Sequence, residues 1–119
     1  MSAKDTEKIG CWEAHLGSHL KVIASGERMT LIQSVIRSGS KIPPQSHPHE
    51  QITFCLQGEA IFRIGRETFQ IKKGYSLIIP PNIMHSGMAI GNQEYLSVEA
   101  FSTPRQDLLR GEFKPTGSR

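Results

Sequence analysis

Residues 43–58 read Pro43-Pro44-Gln45-Ser46-His47-Pro48-His49-Glu50-Gln51-Ile52-Thr53-Phe54-Cys55-Leu56-Gln57-Gly58. From Gln51 onward the stretch alternates. Ile52, Phe54 and Leu56 fall on one face, Gln51, Thr53 and Cys55 on the other, and the run stops at Gly58. Successive side chains of a β-strand point to opposite faces. The stretch is therefore a strand, led in by prolines and carrying donor side chains at alternate positions. If the lead-in is extended as well, Gln45, His47, His49 and Gln51 share the inward face.

The same grammar recurs on both sides. Met29 to Arg37 is rich in Ile, Val, Thr and Leu and ends at Ser38-Gly39-Ser40. Ala60 to Ile64 and Thr68 to Ile71 flank Gly65-Arg66-Glu67, a hairpin turn. Tyr75 to Ile79 stops at Pro80-Pro81-Asn82, Met84 to Ile90 at Gly91-Asn92, and Glu94 to Phe101 at Ser102-Thr103-Pro104. Short strands punctuated this regularly predict an all-β sandwich or barrel. The one helical signal is late: Pro104 opens it, Arg105 to Arg110 carry it and Gly111 closes it. The expected organisation is a barrel domain over residues 12–110, between a flexible N-terminal segment at 1–11 and a flexible C-terminal tail at 111–119.

A chain of 119 residues is long enough for one domain with a real core. No apolar run approaches the roughly 20 residues that span a bilayer. Met1 to Asp5 do not begin a secretory leader. Together these predict a cytoplasmic protein with no membrane partner. Cys11 and Cys55 are too few for a disulfide framework and read as reduced thiols. The net charge of +3 is spread over scattered Lys and Arg, without a basic stripe interleaved with aromatics, which argues against nucleic acid. What remains is a modest pull on anionic small molecules.

Of five histidines, His15 and His19 read as ordinary residues. His47 and His49 lie in one Pro-rich strand lead-in and His85 in another. An imidazole nitrogen is a good ligand for a divalent transition metal, and an amide oxygen a weaker one. His47 with Gln51 from one segment and His85 from another can therefore hold one divalent ion. Zn, Ni, Mn, Fe and Cu all remain open. Because these donors are neutral, the ion keeps nearly its full charge in a partly dry cavity. Such a site favours an anionic ligand, either a carboxylate or an enol that ionises during turnover.

The spacings resemble the cupin family. Its first motif runs His-x-His, three or four residues, an acid or Gln, six residues and Gly. Here His47 lies four residues before Gln51, and Gln51 seven before Gly58. Gly74, Pro80, Asn82 and His85 resemble the second motif, and Glu59 to Lys73 has the short length between motifs found in small bacterial cupins. The resemblance implies a double-stranded β-helix, a jelly-roll barrel of two antiparallel sheets, with a short C-terminal helix. It implies metal ligands at His47, Gln51, His85 and Gln45. Gln45 stands where the family has its first His. It either coordinates through its amide oxygen or leaves that place to water, with His49 as a supporting group or a substitute. The resemblance also implies a homodimer, for which the outward Ile52, Phe54 and Leu56 are candidate contacts.

Trp12-Glu13, His47 to Ile52, Ile79-Pro80-Pro81-Asn82 and Glu99 to Arg105 are further similar to the pectin-degradation cupins, which turn unsaturated uronates into linear keto sugars. That similarity implies an isomerase- or lyase-like enzyme. Glu99, in place of the family's Asp, would be its acid/base. Arg105 would hold the substrate carboxylate, and Phe101 would be a packing wall. Two other classes stay open: a metal-dependent dioxygenase of the quercetinase or thiol type, and a non-catalytic cupin that binds a small acid or sugar. Gln45 in place of His counts against the dioxygenase.

Overall fold

The computed structural model describes residues 1–109. A 3₁₀ turn at Thr6–Lys8, capped by the Asp5 side chain, precedes ten strands. These are β1 (Trp12–His15), β2 (Ser18–Ser25), β3 (Thr30–Ile36), β4 (Lys41–Gln45), β5 (Glu50–Gln57), β6 (Glu59–Ile64), β7 (Glu67–Lys72), β8 (Ser76–Ile79), β9 (His85–Ile90) and β10 (Tyr95–Ser102). A short helix, α1 (Gln106–Leu109), closes the described chain. Arg110, the expected stop at Gly111 and the expected tail at 111–119 lie outside the described residues. No helix among the described residues is long and apolar enough to cross a membrane.

The strands form a six-stranded sheet in the order β1-β2-β3-β10-β5-β8 and a four-stranded sheet in the order β4-β9-β6-β7. The pairings are antiparallel. This is the all-β double-stranded β-helix with one short C-terminal helix that the strand pattern and motifs predict. The expected strands match the observed ones to within a residue or two. β1, β2 and β4 were not foreseen. β4 contains Pro43 and Pro44 and survives because it is an edge strand, where a missing N–H breaks no ladder. β2 has its alternation interrupted by a register shift between Val22 and Ala24.

Alternation decides what is buried. Along β5, Gln51, Thr53 and Cys55 point inward and Ile52, Phe54 and Leu56 outward. One core cluster joins Cys55, Phe62, Ile71, Ile79, Ala89 and Tyr95 between the sheets. A second joins Ile32, Phe101 and Leu108, with Trp12, Leu20 and Val22 packed against it. Leu108 thus fastens α1 over one end of the sandwich. Gly58, with φ of +79°, turns the chain between β5 and β6 hard against β10. A Cβ there would lie 2.4 Å from the Glu94 carbonyl oxygen, so only glycine fits without displacement.

Candidate metal and substrate centre

Gln45, His47, His49 and Gln51 do not share one continuous strand. Gln45 ends β4 in the four-stranded sheet, the chain crosses over through residues 46–49, and Gln51 lies in β5 of the six-stranded sheet. Simple alternation therefore fails across this segment, and the crossing itself brings the donors together. Gln45 is the cross-strand partner of His85, the first residue of β9. The Pro80-Pro81-Asn82 turn reaches across as well. Asn82 adopts a left-handed φ of 66°, and its N–H donates to the His47 carbonyl at 2.8 Å. The second motif thus pins the loop that carries the first histidine.

The rings of His47 and His85 meet edge to face with centroids 5.0 Å apart. Two imidazoles on one ion, each nitrogen about 2.1 Å from it, have centroids roughly this far apart. His85 Nδ1 faces the Ile83 carbonyl at 2.9 Å, and His85 Nε2 is buried without a partner. His47 Nδ1 faces the His49 carbonyl and its Nε2 faces Gln51 Oε1, both at 3.1 Å. A neutral imidazole donates from only one nitrogen, so one of those two contacts sets acceptor against acceptor. The Gln51 amide cannot flip to relieve this. Its Nε2 already donates to Thr53 Oγ1 at 2.9 Å and to Glu99 Oε1 at 3.2 Å.

A proton on His47 would satisfy both contacts, but burial and then the charge of Arg105 hold its pKa below the ordinary histidine value. Burial likewise lowers that of His85. A divalent cation is the better complement. Two ligands about 2.1 Å from an ion on adjacent octahedral vertices are about 3.0 Å apart, close to the 3.1 Å between His47 Nε2 and Gln51 Oε1. Among the described residues no three His, Cys, Asp or Glu side chains cluster around a common point. The donor set is therefore two imidazoles helped by amide oxygens, which fits a metal through neutral groups only.

Glu99, on β10, pairs across the strands with Thr53. Its carboxyl accepts from Gln51 Nε2 and from Ser97 Oγ, each at 3.2 Å. Desolvation pushes its pKa up to about 7, against the opposing pull of the Ser97 hydrogen bond and the Arg105 charge. Arg105 is not a loose cation on the first turn of the last helix. Its Nε and Nη2 donate to the Asp107 carboxylate at 3.0 and 2.7 Å, and its guanidinium lies 4.7 Å from the centre of the Phe101 ring. Its backbone N–H donates to Thr30 Oγ1. Phe101 is core, 2% exposed, with its ring 5.5 Å from that of His47.

Gln45, His47, Gln51, His85, Glu99 and Arg105 all line one cavity of about 80 Å³ between the sheets. Phe101 and Leu108 line it too. His49 does not. Its ring stands 5.5 Å from His47 and 6.3 Å from Phe101, behind the cavity wall. Asp107, the partner of Arg105, is a residue that sequence reasoning missed. The Arg-x-Asp spacing is its only trace in the sequence, and that is too common to single out. A wider groove of about 940 Å³ lies along the outer side of the four-stranded sheet, past Lys41, Ile61 and Arg63, and holds none of these donors except through its neighbourhood to Ser86 and Ile42.

Residues 31–113 match the family described as AraC-like ligand binding domain. An uncharacterized protein of Methanocaldococcus jannaschii is 32% identical over 71 residues, 59% of this chain and 57% of that protein. The chain thus spans little more than half the length of this curated relative. Among solved structures, KdgF from Halomonas sp. superposes with a TM-score of 0.83 at 21% identity, covering 90% of this chain and 99% of that one. An RmlC-like cupin from Shewanella frigidimarina superposes with a TM-score of 0.81 at 16% identity, covering 88% and 93%. At these identities the two structures establish the shared fold.

Proposed function

The chain belongs to the AraC-like ligand binding domain family, within the cupin superfamily, and from that premise we propose that it is a metal-binding small cupin converting an unsaturated uronate, or a similar acidic keto-sugar, to its linear keto form. The observation that carries this reading is the pair Glu99 and Gln51. A carboxyl whose pKa is raised to about 7 is hydrogen-bonded to the amide that faces His47. An acid/base group works best with its pKa near the operating pH. This one stands beside the donors that would fix the reacting oxygen.

His47, His85, Gln51 and Gln45 would hold the metal, which when bound would act as a Lewis acid toward the enol oxygen. The chain's own groups do the rest. Arg105, held by Asp107 along its Nε–Nη2 edge, keeps its remaining N–H groups for the uronate carboxylate. Protonated Glu99 delivers its proton to the enol carbon as the ketone forms. It then accepts the proton that the enol hydroxyl loses, so the carboxyl ends as it began. Phe101 and Leu108 keep bulk water from this exchange.

The test is direct. Metal-loaded protein is incubated with unsaturated galacturonate, and the ultraviolet absorbance of the ring alkene is followed. Decay faster than in buffer, lost in Glu99→Gln, supports the reading. Equal decay with every metal form ends it. The family's description as a ligand binding domain favours one second reading, a non-catalytic module for a small acid or sugar. Saturable binding of the same uronate without any turnover would select it.

A further inference from the structure

The groove of about 940 Å³ on the outer face of the four-stranded sheet holds none of the donors of the central cavity. Burial alternates along β6, with Ala60, Phe62 and Ile64 inside, so Ile61 and Arg63 face outward. Directly paired residues project on the same face. Arg63 pairs with Ser86 on β9 and with Thr68 on β7, which sets a guanidinium between two hydroxyls. Two residues along, Ile61 pairs with Met88, and Met88 with Lys41 on β4. An apolar floor thus lies between two cations. Leu16, 77% exposed in the turn after β1, extends its apolar lining, as do Pro43 and Pro44. Among the described residues neither Lys41 nor Arg63 has a carboxylate within ion-pair distance. Arg63 Nε donates to the Gly65 carbonyl at 3.3 Å, and its two terminal nitrogens have no partner among the described residues. Glu59, the acid on this face of β6, lies about 13 Å along the strand from Arg63. It accepts from Gln70 Nε2 at 3.3 Å instead.

We propose that this groove is a second ligand site, separate from the central cavity, and that it takes a carboxylate with an aliphatic body, of the class of a medium-chain fatty acid anion. The carboxylate docks on the free edge of Arg63, where a planar fork meets two oxygens, with the Ser86 and Thr68 hydroxyls beside it. The body lies over Ile61 and Met88 toward Pro43 and Pro44, with Lys41 at the far side adding to the pull on the anion. A cation would be repelled by both side chains, and a neutral ligand would leave both without a counter-charge. Ligand sites are typically roughly 300–1,000 Å³, mostly apolar, with a few polar groups that fix orientation, and the groove fits that description in size and lining. The site is independent of the uronate reading, since it uses neither the metal donors nor Glu99 and Arg105.

Titration calorimetry of the full chain with sodium decanoate, kept below its micelle concentration, tests this, with the Met88 methyl resonance as the locator. The expected result is saturable binding of one decanoate per chain that shifts that resonance. Octanoate, two methylenes shorter, should bind about threefold to tenfold more weakly. Arg63→Gln and Ile61→Asp, both at exposed positions, should each weaken decanoate at least tenfold, and Arg63→Lys should weaken it less than Arg63→Gln. Arg105→Gln, in the central cavity, should leave it unchanged. Absence of binding at millimolar decanoate overturns the proposal. So does decyltrimethylammonium binding as tightly as decanoate. Binding that survives Arg63→Gln and fails in Arg105→Gln overturns it in favour of the central cavity. A doubled mass on sedimentation that Ile61→Asp returns to 13.3 kDa overturns it in favour of a second copy on this face.

Discussion

Gln51 Oε1 is turned toward His47 Nε2 at 3.1 Å because Gln51 Nε2 is already committed to Thr53 and Glu99. With the His47 proton on Nδ1, toward the His49 carbonyl, the contact sets two lone pairs against each other, in want of a positive centre. Dialysis against Zn, Ni, Mn, Fe or Cu should therefore load about one ion per chain, counted by elemental analysis. His47→Ala and His85→Ala should each weaken binding at least tenfold, and Gln51→Leu should weaken it by less. Unchanged stoichiometry in His85→Ala would show that the buried His85 nitrogen is not a ligand.

Gln45 lines the cavity beside His85 and stands where the cupin motif has a histidine. Replacing its weak amide donor by imidazole should tighten the site. Gln45→His is expected to lower the Kd for Zn or Ni by about tenfold, read by competition with a chromophoric chelator. A weaker site in this variant would place residue 45 outside the ligand sphere.

Glu99 gives the metal-free protein a pH signature. Its pKa is near 4.5 when unfolded and about 7 when folded. Between those values the folded state binds more protons, so stability falls as pH rises through the window. The loss above pH 7 is on the order of 3 kcal/mol. Urea denaturation should show that slope in the native chain and its absence in Glu99→Gln. A flat profile in both would mean the carboxyl is well solvated.

Asp107 has the opposite sign. The hydrogen bonds and charge of Arg105 hold its carboxyl below the usual aspartate value of 3.8. The pair therefore stabilises the fold above that value, and the benefit disappears as pH falls through the lower, folded value. Asp107→Asn should remove this acid dependence. In the uronate assay it should raise KM more than it lowers kcat, because a guanidinium released from its clamp no longer presents one orientation.

Gly58→Ala tests the turn that closes β5. The left-handed φ and the approach of the Glu94 carbonyl leave a methyl group no room. The variant should be destabilised by about 2 kcal/mol or more, measured by chemical denaturation.

The fold was legible wherever one face of a strand is core and the other is not. β5, β6 and β3 announce themselves by alternation, and β9 and β10 by their bounding turns. β4 was hidden by Pro43 and Pro44, which discourage a strand everywhere except at a sheet edge. The candidate site was legible to the extent that spacing encodes it: His47, Gln51 and His85 line one cavity, and so does Glu99, to which only the likeness to the pectin-degradation cupins pointed. Spacing could not show that the chain changes sheets between Gln45 and Gln51, since periodicity describes one strand at a time. Nor could it show Asp107, whose partnership depends on the rotamer of Arg105. His49 occupies the expected side of the motif but ends behind Phe101, because residues 46–49 are not extended strand.

Gln51 and Glu99 are rooted in one sheet, Gln45 and His85 in the other. An ion held by Gln51 together with Gln45 and His85 would be a clasp fastening the two layers of the sandwich. Its grip would add to the work of prising those layers apart, by an amount that grows with the logarithm of free ion concentration once the site is mostly filled. A rise of the melting temperature with added ion is thus the expected gauge of occupancy, readable before any substrate is known.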